Sequence, residues 1–230
     1  MQSKYRVNAE ETWDTIAESF DTTRQKPWKF CLDFIYSIKN HDIVADIGCG
    51  NGRHLLACTE YCYHVIGIDI SQQLLKIVKN KLAKKNIVNV SLVHADVVEL
   101  PFIDNSLDRV LFIASLHNIK GKENRRRALK QIARVLKPKG VALISVWSRW
   151  QRKYMKYFMK QLIVRTREFG DIEIFWRQHN LNVPRFYHLY TKEEFKRELR
   201  EARFDIQNLQ SVKIHSKYLP DNYFAVVEKR

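Results

Sequence analysis

A cluster of glycines and three acids carry the first chemical suggestion in this sequence. The run Val44-Ala45-Asp46-Ile47-Gly48-Cys49-Gly50-Asn51-Gly52 sits where a short apolar strand turns into a helix. Glycines there let the backbone approach a ligand and adopt φ > 0. Their spacing is G-x-G-x-G, not the G-x-G-x-x-G of dinucleotide sites. A pyrophosphate at a helix N-terminus favours a surround free of negative charge. Asp46, just before the turn, instead suits a cation such as an amino-acid ammonium group. Asp69 ends the next strand, 19 residues after Gly50, where an acid can accept hydrogen bonds from ribose hydroxyls. Asp96 follows the third strand and can accept from an adenine amino group. Taken singly, each acid is better read as a helix cap or a solvated strand end. Three acids after three successive strands are harder to explain that way, because ligands on such sheets bind beyond the carboxyl ends of the strands.

The elements around these residues alternate. Trp13, Ile16, Ala17 and Phe20 recur with helical spacing over 8–21, and a second helix is expected over about 28–38. Pro27 disfavours helix at Lys26 between them. Strands are expected at Ile43–Ile47, 64–70, Val90–His94, 108–114 and 141–147, with helices at 52–61, 72–85 and 122–136 between them. Such alternation argues for a parallel sheet with helices on both faces. After Trp147 the pattern changes: residues 149–167 hold seven basic residues and no acid, mixed with aromatics. Arg185-Phe186-Tyr187-His188-Leu189-Tyr190 is an aromatic and basic cluster. A helix over 192–202 and strands at 206–214 and 223–228 close the chain.

Whole-chain numbers bound the partners. Lys and Arg number 40 against 25 acids, a net charge of +15 over 230 residues. A field of that sign favours a polyanion, with nucleic acid ahead of an anionic membrane surface. A generally basic proteome would give the same number. The four cysteines form no C-x-x-C pair and no Cys/His cluster with finger spacing, so no metal site is expected. No apolar run has the length of a membrane span or a signal peptide. A cytoplasmic protein with reduced thiols is expected.

Taken together, VADIGCGNG, the acid at Asp69, HADVVELPF and VLKPKGVALISVW resemble the class I S-adenosylmethionine (SAM) dependent methyltransferases over about residues 40–147. SAM carries both an ammonium and a sulfonium, in keeping with Asp46. The resemblance implies a Rossmann-like α/β fold with a seven-stranded, mostly parallel sheet of order 3-2-1-4-5-7-6. It implies a single domain: an N-terminal helical lid (1–40), a cofactor-binding core (41–147), a basic and aromatic substrate-binding insertion (148–191), and a closing helix and strands (192–230). It places Trp13, Asp46, Gly48, Gly50, Asp69, Ile70, Asp96, Val97 and Ala114 around the cofactor.

Outside that core, TWDTIAESFDTTRQKPW, ASLHN, RFYHLYTKEEF and PDNYFAVVEKR are similar to the wobble-uridine tRNA carboxymethyl methyltransferases. That family methylates the carboxylate of 5-carboxymethyluridine and works with a small zinc-ribbon activator protein. The resemblance implies tRNA and such an activator as partners, the activator pairing with the exposed edge strand Val90–His94. Where the family usually has His-His, this chain has His117-Asn118. Arg24, His117 and Arg185 are the candidates to hold the uridine and its carboxylate. Lys26, Trp28, Asn118, Trp147, Arg152, Lys153, Lys156, Tyr187, His188, Tyr190 and Asn222 are candidates for the rest of the substrate surface.

No cysteine nucleophile and no N-P-P-Y-type motif follows the fourth strand, so oxygen is the expected acceptor. His117 is open to two roles there, as general base for a hydroxyl or as a donor that positions a carboxylate. Two other readings stand beside this one. A small-molecule O- or C-methyltransferase of the quinone-precursor type would share the core motifs. A catalytically silent RNA-binding module would share the fold.

Overall fold

The computed structural model describes residues 2–163 and 168–230. Two of the basic residues expected to face substrate in the 149–167 stretch, Arg165 and Arg167, lie outside them. Helix α1 (Gln2–Thr23) and the short α2 (Lys29–Tyr36) precede the sheet. Then β1 (Ile43–Ile47), α3 (Leu55–Cys58), β2 (His64–Asp69), α4 (Gln72–Lys84), β3 (Val90–His94), β4 (Leu107–Ile113), α5 (Lys122–Val135) and β5 (Leu136–Trp147) alternate. Helix α6 (Met155–Ile163), strands β6 (Asp171–Trp176) and β7 (Val183–His188), α7 (Lys192–Glu201), β8 (Phe204–Val212) and β9 (Asn222–Lys229) follow.

The main sheet runs β3-β2-β1-β4-β5-β9-β8. This is the expected order 3-2-1-4-5-7-6, with β9 as its seventh strand in sequence and β8 as its sixth. Strand β9 is antiparallel to both neighbours. Strands β6 and β7 make a separate antiparallel hairpin that the sequence pattern did not resolve into strands. Apolar side chains fill both faces of the main sheet: Val110, Phe112 and Ile144 with α5 and α7 on one, Val44, Leu111 and Leu143 with α2–α4 on the other. A smaller cluster of Phe158, Ile172, Tyr187 and Leu189 sits under the hairpin.

The first helix begins earlier than expected, at Gln2, and β8 ends earlier, at Val212; two further differences concern the turns. The helix expected over 52–61 is only Leu55–Cys58, because the chain is still turning at Gly52, with φ of +79°. Lys137-Pro138-Lys139-Gly140 does not separate a helix from a strand. It lies inside the long β5, whose first residue, Leu136, already pairs with Leu107.

Candidate active site

The carboxyl ends of β1, β2, β4 and β5 open into one cleft of about 1250 Å3, its mouth included. Helix α1 covers one side of it with Ala9, Trp13 and Phe20, and β7 another with Arg185 and Tyr187. The cleft has two chemically different walls.

One wall follows β1, β2 and the loop after β3. Gly48 and Gly50 take φ of +66° and +56°, a region that L side chains reach only at a cost. A Cβ on Gly48 would collide with the Ser115 side chain, so the turn is pressed directly against the loop after β4. Asp69 accepts the Gly50 N–H at 2.7 Å and the Ser71 N–H at 2.9 Å, which locks the turn to the end of β2. Burial pushes the Asp69 carboxyl up to about 6. Asp96 caps the short turn Val97–Glu99 by accepting the Val98 N–H. Ile70, Val97 and Ala114 line the same wall, with Ile47, Ile68 and Phe112 behind them. A bare backbone cradle, two carboxylates with lone pairs to spare and an apolar slot fit the sugar, amine and ring of an adenosine.

Asp46 is placed differently from the expectation. It is buried behind the glycine turn and does not line the cleft. It accepts the backbone N–H of Leu55 at the start of α3, while its Oδ2 has no partner among the described residues. Burial and the neighbouring Asp69 push it up to about 7.

The other wall is cationic and aromatic. Arg185 on β7 is 8% exposed, and its guanidinium carbon stands 4.8 Å from the Trp176 ring centre, 5.1 Å from Tyr187 and 5.7 Å from Trp13. Its Nε has no hydrogen-bond partner, and among the described residues no carboxylate lies within salt-bridge distance of it. Arg24 packs over Phe20 and Trp176 and is held below its ordinary value by burial and by Arg185 nearby. A buried and a half-buried guanidinium group, neither with a carboxylate partner among the described residues, make a site that can take an anion.

His117 lies in the short turn Leu116–Asn118 after β4, stacked on Tyr187 and tilted against Trp147. Its Nδ1 accepts the Trp147 backbone N–H at 3.1 Å. The neutral ring therefore carries its proton on Nε2. Burial first, then Arg185 and His188, pull its pKa down to about 3. His117 is thus a fixed hydrogen-bond donor. A base at this position would need a free lone pair on Nε2, and the other nitrogen cannot supply a proton toward an N–H that already points at it. Asn118 and Trp147 line the cleft beside it, and Trp28 closes the far end under Arg53.

Other expected substrate residues lie elsewhere. Lys26 is exposed and outside the cleft. Arg152, Lys153 and Lys156 are exposed on the segment leading into and along α6. His188 and Tyr190 are fully buried on the far side of the hairpin: His188 bonds Asp171 at 2.7 Å and Glu194 at 3.0 Å, and Tyr190 donates to Glu198. Asn222 is buried beside Asp221. None of the three lines the cleft, and strand alternation turns His188 away from the face that carries Arg185 and Tyr187. Sequence reasoning missed Arg53, Phe20 and Trp176. Arg53 directly follows the glycine turn and could have been suspected; Trp176 acquires its place only through the hairpin pairing.

Residues 45–144 match the family model described as a methyltransferase domain. The chain is 34% identical over 152 residues to the tRNA (carboxymethyluridine(34)-5-O)-methyltransferase ALKBH8 of Macaca fascicularis, covering 66% of this chain and 21% of that protein. It is 35% identical over 136 residues to the tRNA (carboxymethyluridine(34)-5-O)-methyltransferase of Arabidopsis thaliana, covering 59% of this chain and 31% of that one. The chain thus spans between a fifth and a third of the length of these two relatives. Among solved structures, a SAM-dependent methyltransferase from Methanosarcina mazei superposes with a TM-score of 0.74 at 20% identity, over 89% of this chain and 98% of that one. A chain in the complex of the Haloferax volcanii Trm112 methyltransferase activator with a methyltransferase superposes with a TM-score of 0.66 at 16% identity, over 96% and 97%.

Proposed function

We propose that this chain, which belongs to the class I SAM-dependent methyltransferases, transfers a methyl group to the carboxylate of 5-carboxymethyluridine at the wobble position of tRNA. The observation that carries the reading is the acceptor wall: buried Arg185, which has no carboxylate partner among the described residues, half-buried Arg24 beside it, and a histidine whose Nδ1 is already engaged and whose ring is held neutral. A hydroxyl acceptor needs a base to receive its proton. A carboxylate is ionised at neutral pH and needs only orientation and the removal of water. Arg24 and Arg185 supply the counter-charge, and His117 Nε2 a directed hydrogen bond. Trp147, half-buried and backed by Tyr187 at 4.8 Å, offers an aromatic surface to a base.

On the opposite wall Gly48, Gly50, Asp69 and Asp96 would hold SAM. When bound, SAM supplies an electrophilic methyl group for in-line displacement. Helix α1 then serves as the lid and the segment 148–191 as the acceptor side. The edge of β3, which among the described residues pairs only with β2, is the proposed seat of a zinc-ribbon activator. The likeness in fold to a methyltransferase that is seen with Trm112 supports that partner.

Mass spectrometry of tRNA nucleosides after incubation with SAM, with and without the activator, tests the reading; the methyl ester of carboxymethyluridine is expected. A second arm compares His117→Asn with His117→Ala at saturating tRNA. Asn keeps a donor and should retain more activity than Ala, and the wild-type rate should show no rising limb near the ordinary histidine pKa of about 6.5. Equal losses of about 10²–10⁴ in both variants, with such a limb, would point to a hydroxyl acceptor instead.

A further inference from the structure

The loop between β8 and β9 has no part in the cleft, yet it is held in place next to it. Asp221 accepts the backbone N–H groups of Ile214 and His215, both at 2.7 Å, and donates its own N–H to Val212 at 3.0 Å. Its carbonyl accepts the Ser148 N–H at 2.9 Å, which ties the base of the loop to the end of β5. The loop thus presents Tyr218 on a pinned base, 65% exposed.

Cations flank that ring. The Arg152 guanidinium carbon lies 5.8 Å from the Tyr218 ring centre and Lys217 Nζ 5.7 Å from it. One residue on from Arg152, Lys153 Nζ stands 4.7 Å from the Tyr154 ring centre and 5.7 Å from that of Trp147, whose ring lines the cleft. Trp150, 47% exposed, belongs to the same stretch. Residues 148–163 and 206–220 contain no acid, and both oxygens of Asp221 beneath the loop are occupied by backbone donors. A continuous path therefore leads from the cleft wall at Trp147 through Lys153 and Arg152 to Tyr218 and Lys217.

We infer that this path is a binding ledge for single-stranded RNA, in which a base next to the modified nucleotide stacks on Tyr218 while Arg152, Lys153 and Lys217 hold the backbone phosphates. An exposed aromatic face bracketed by cations is the arrangement that unpaired nucleotides use, because every base has a stacking face and every linkage a negative charge. A duplex cannot use it, since its bases are stacked on one another. The inference rests on the RNA reading of the cleft and adds where the strand leaves it.

The test measures binding of a synthetic anticodon stem-loop, and of a blunt duplex of its stem, by the full-length protein loaded with SAM. Tyr218→Ala should weaken stem-loop binding by about 5- to 100-fold. Tyr218→Phe, which keeps the stacking face, should bind as wild type. Duplex binding and SAM affinity should be unchanged in both. Wild-type stem-loop affinity in Tyr218→Ala would overturn the inference, as would equal weakening of stem-loop and duplex, or a Phe variant as weak as Ala. The two readings fail separately. Ester formation on tRNA with an indifferent Tyr218 removes only the ledge. Stem-loop binding that depends on Tyr218, without ester formation, removes only the proposed acceptor.

Discussion

The two walls of the cleft are built by different means. The proposed cofactor wall is made of backbone: a glycine turn, the ends of neighbouring strands, and carboxylates that bond N–H groups two residues on or on the adjoining turn. The proposed acceptor wall is assembled from α1, the turn after β4, the end of β5 and β7, and its parts meet through side chains, ring on ring and side chain on a distant main chain. Behind β7 lies a further layer of charge. His188 bridges Asp171 and Glu194, Arg149 bonds Glu194 at 2.6 Å, and the fully buried Arg125 bonds Glu168 at 2.5 Å. The difference separates two functions. A cofactor common to a whole class can be held by local geometry that any strand-turn-helix unit reproduces. An acceptor particular to one enzyme is held by long-range packing, which can change without disturbing the first wall.

That separation can be broken most severely at Gly48. Gly48→Ala puts a Cβ into the Ser115 side chain at a residue with φ of +66°. The backbone cost alone is roughly 1–2 kcal/mol, and the collision must add to it. SAM affinity measured by calorimetry should fall about 100-fold or more, while stem-loop RNA binding by the folded variant stays near wild type. A parallel loss of RNA binding would mean that the walls are coupled.

Asp69→Ala should have a smaller effect of the same kind. It removes the proposed acceptor for ribose hydroxyls and frees the Gly50 N–H. A loss of roughly 1.5–3 kcal/mol of SAM affinity is expected. Unchanged affinity with an intact circular dichroism spectrum would remove Asp69 from the ribose site.

How much of this could be read from the sequence follows the same division. Glycines at fixed offsets after an apolar run report a turn because φ > 0 is a property of single residues. The acids Asp69 and Asp96 report strand ends for the same local reason. The sheet order came with the family resemblance and agrees with the structure. Asp46 does not line the cleft, because strand alternation, not proximity in sequence, decides which face a side chain takes. His188 and Tyr190 were grouped with Arg185 and Tyr187 as one aromatic and basic cluster. The β6–β7 pairing splits that cluster between two faces, and β6 gave no sequence signal that the reading used. The sequence leaves His117 open between base and donor; its contact with the Trp147 N–H, 30 residues away, fixes the tautomer on which the donor reading rests.

The smallest expected effect lies in the charge layer behind β7 and follows from its protonation. Burial alone would lower the His188 pKa, but the hydrogen bonds to Asp171 and Glu194 outweigh it, against the opposing charge of Arg125, and the net shift is upward. Tyr190 packs edge-on to the ring, and Arg149, Glu168 and Glu198 complete the charged surround. A basic group whose pKa is raised on folding stabilises the fold fully below its unfolded value and loses that contribution as pH rises through the folded value. The unfolding midpoint should therefore decline from about pH 6.5 upward. His188→Gln keeps a donor to one carboxylate but cannot gain a proton. It should lower stability by about 1 kcal/mol at acidic pH and flatten the decline. Thermal melts of both proteins from about pH 6 to about pH 9 check this; an unchanged slope in the variant would assign the decline to another group. If the two walls are independent, the variant should keep its SAM affinity. Its acceptor affinity should weaken, because the strand that carries His188 on one face carries Arg185 on the other.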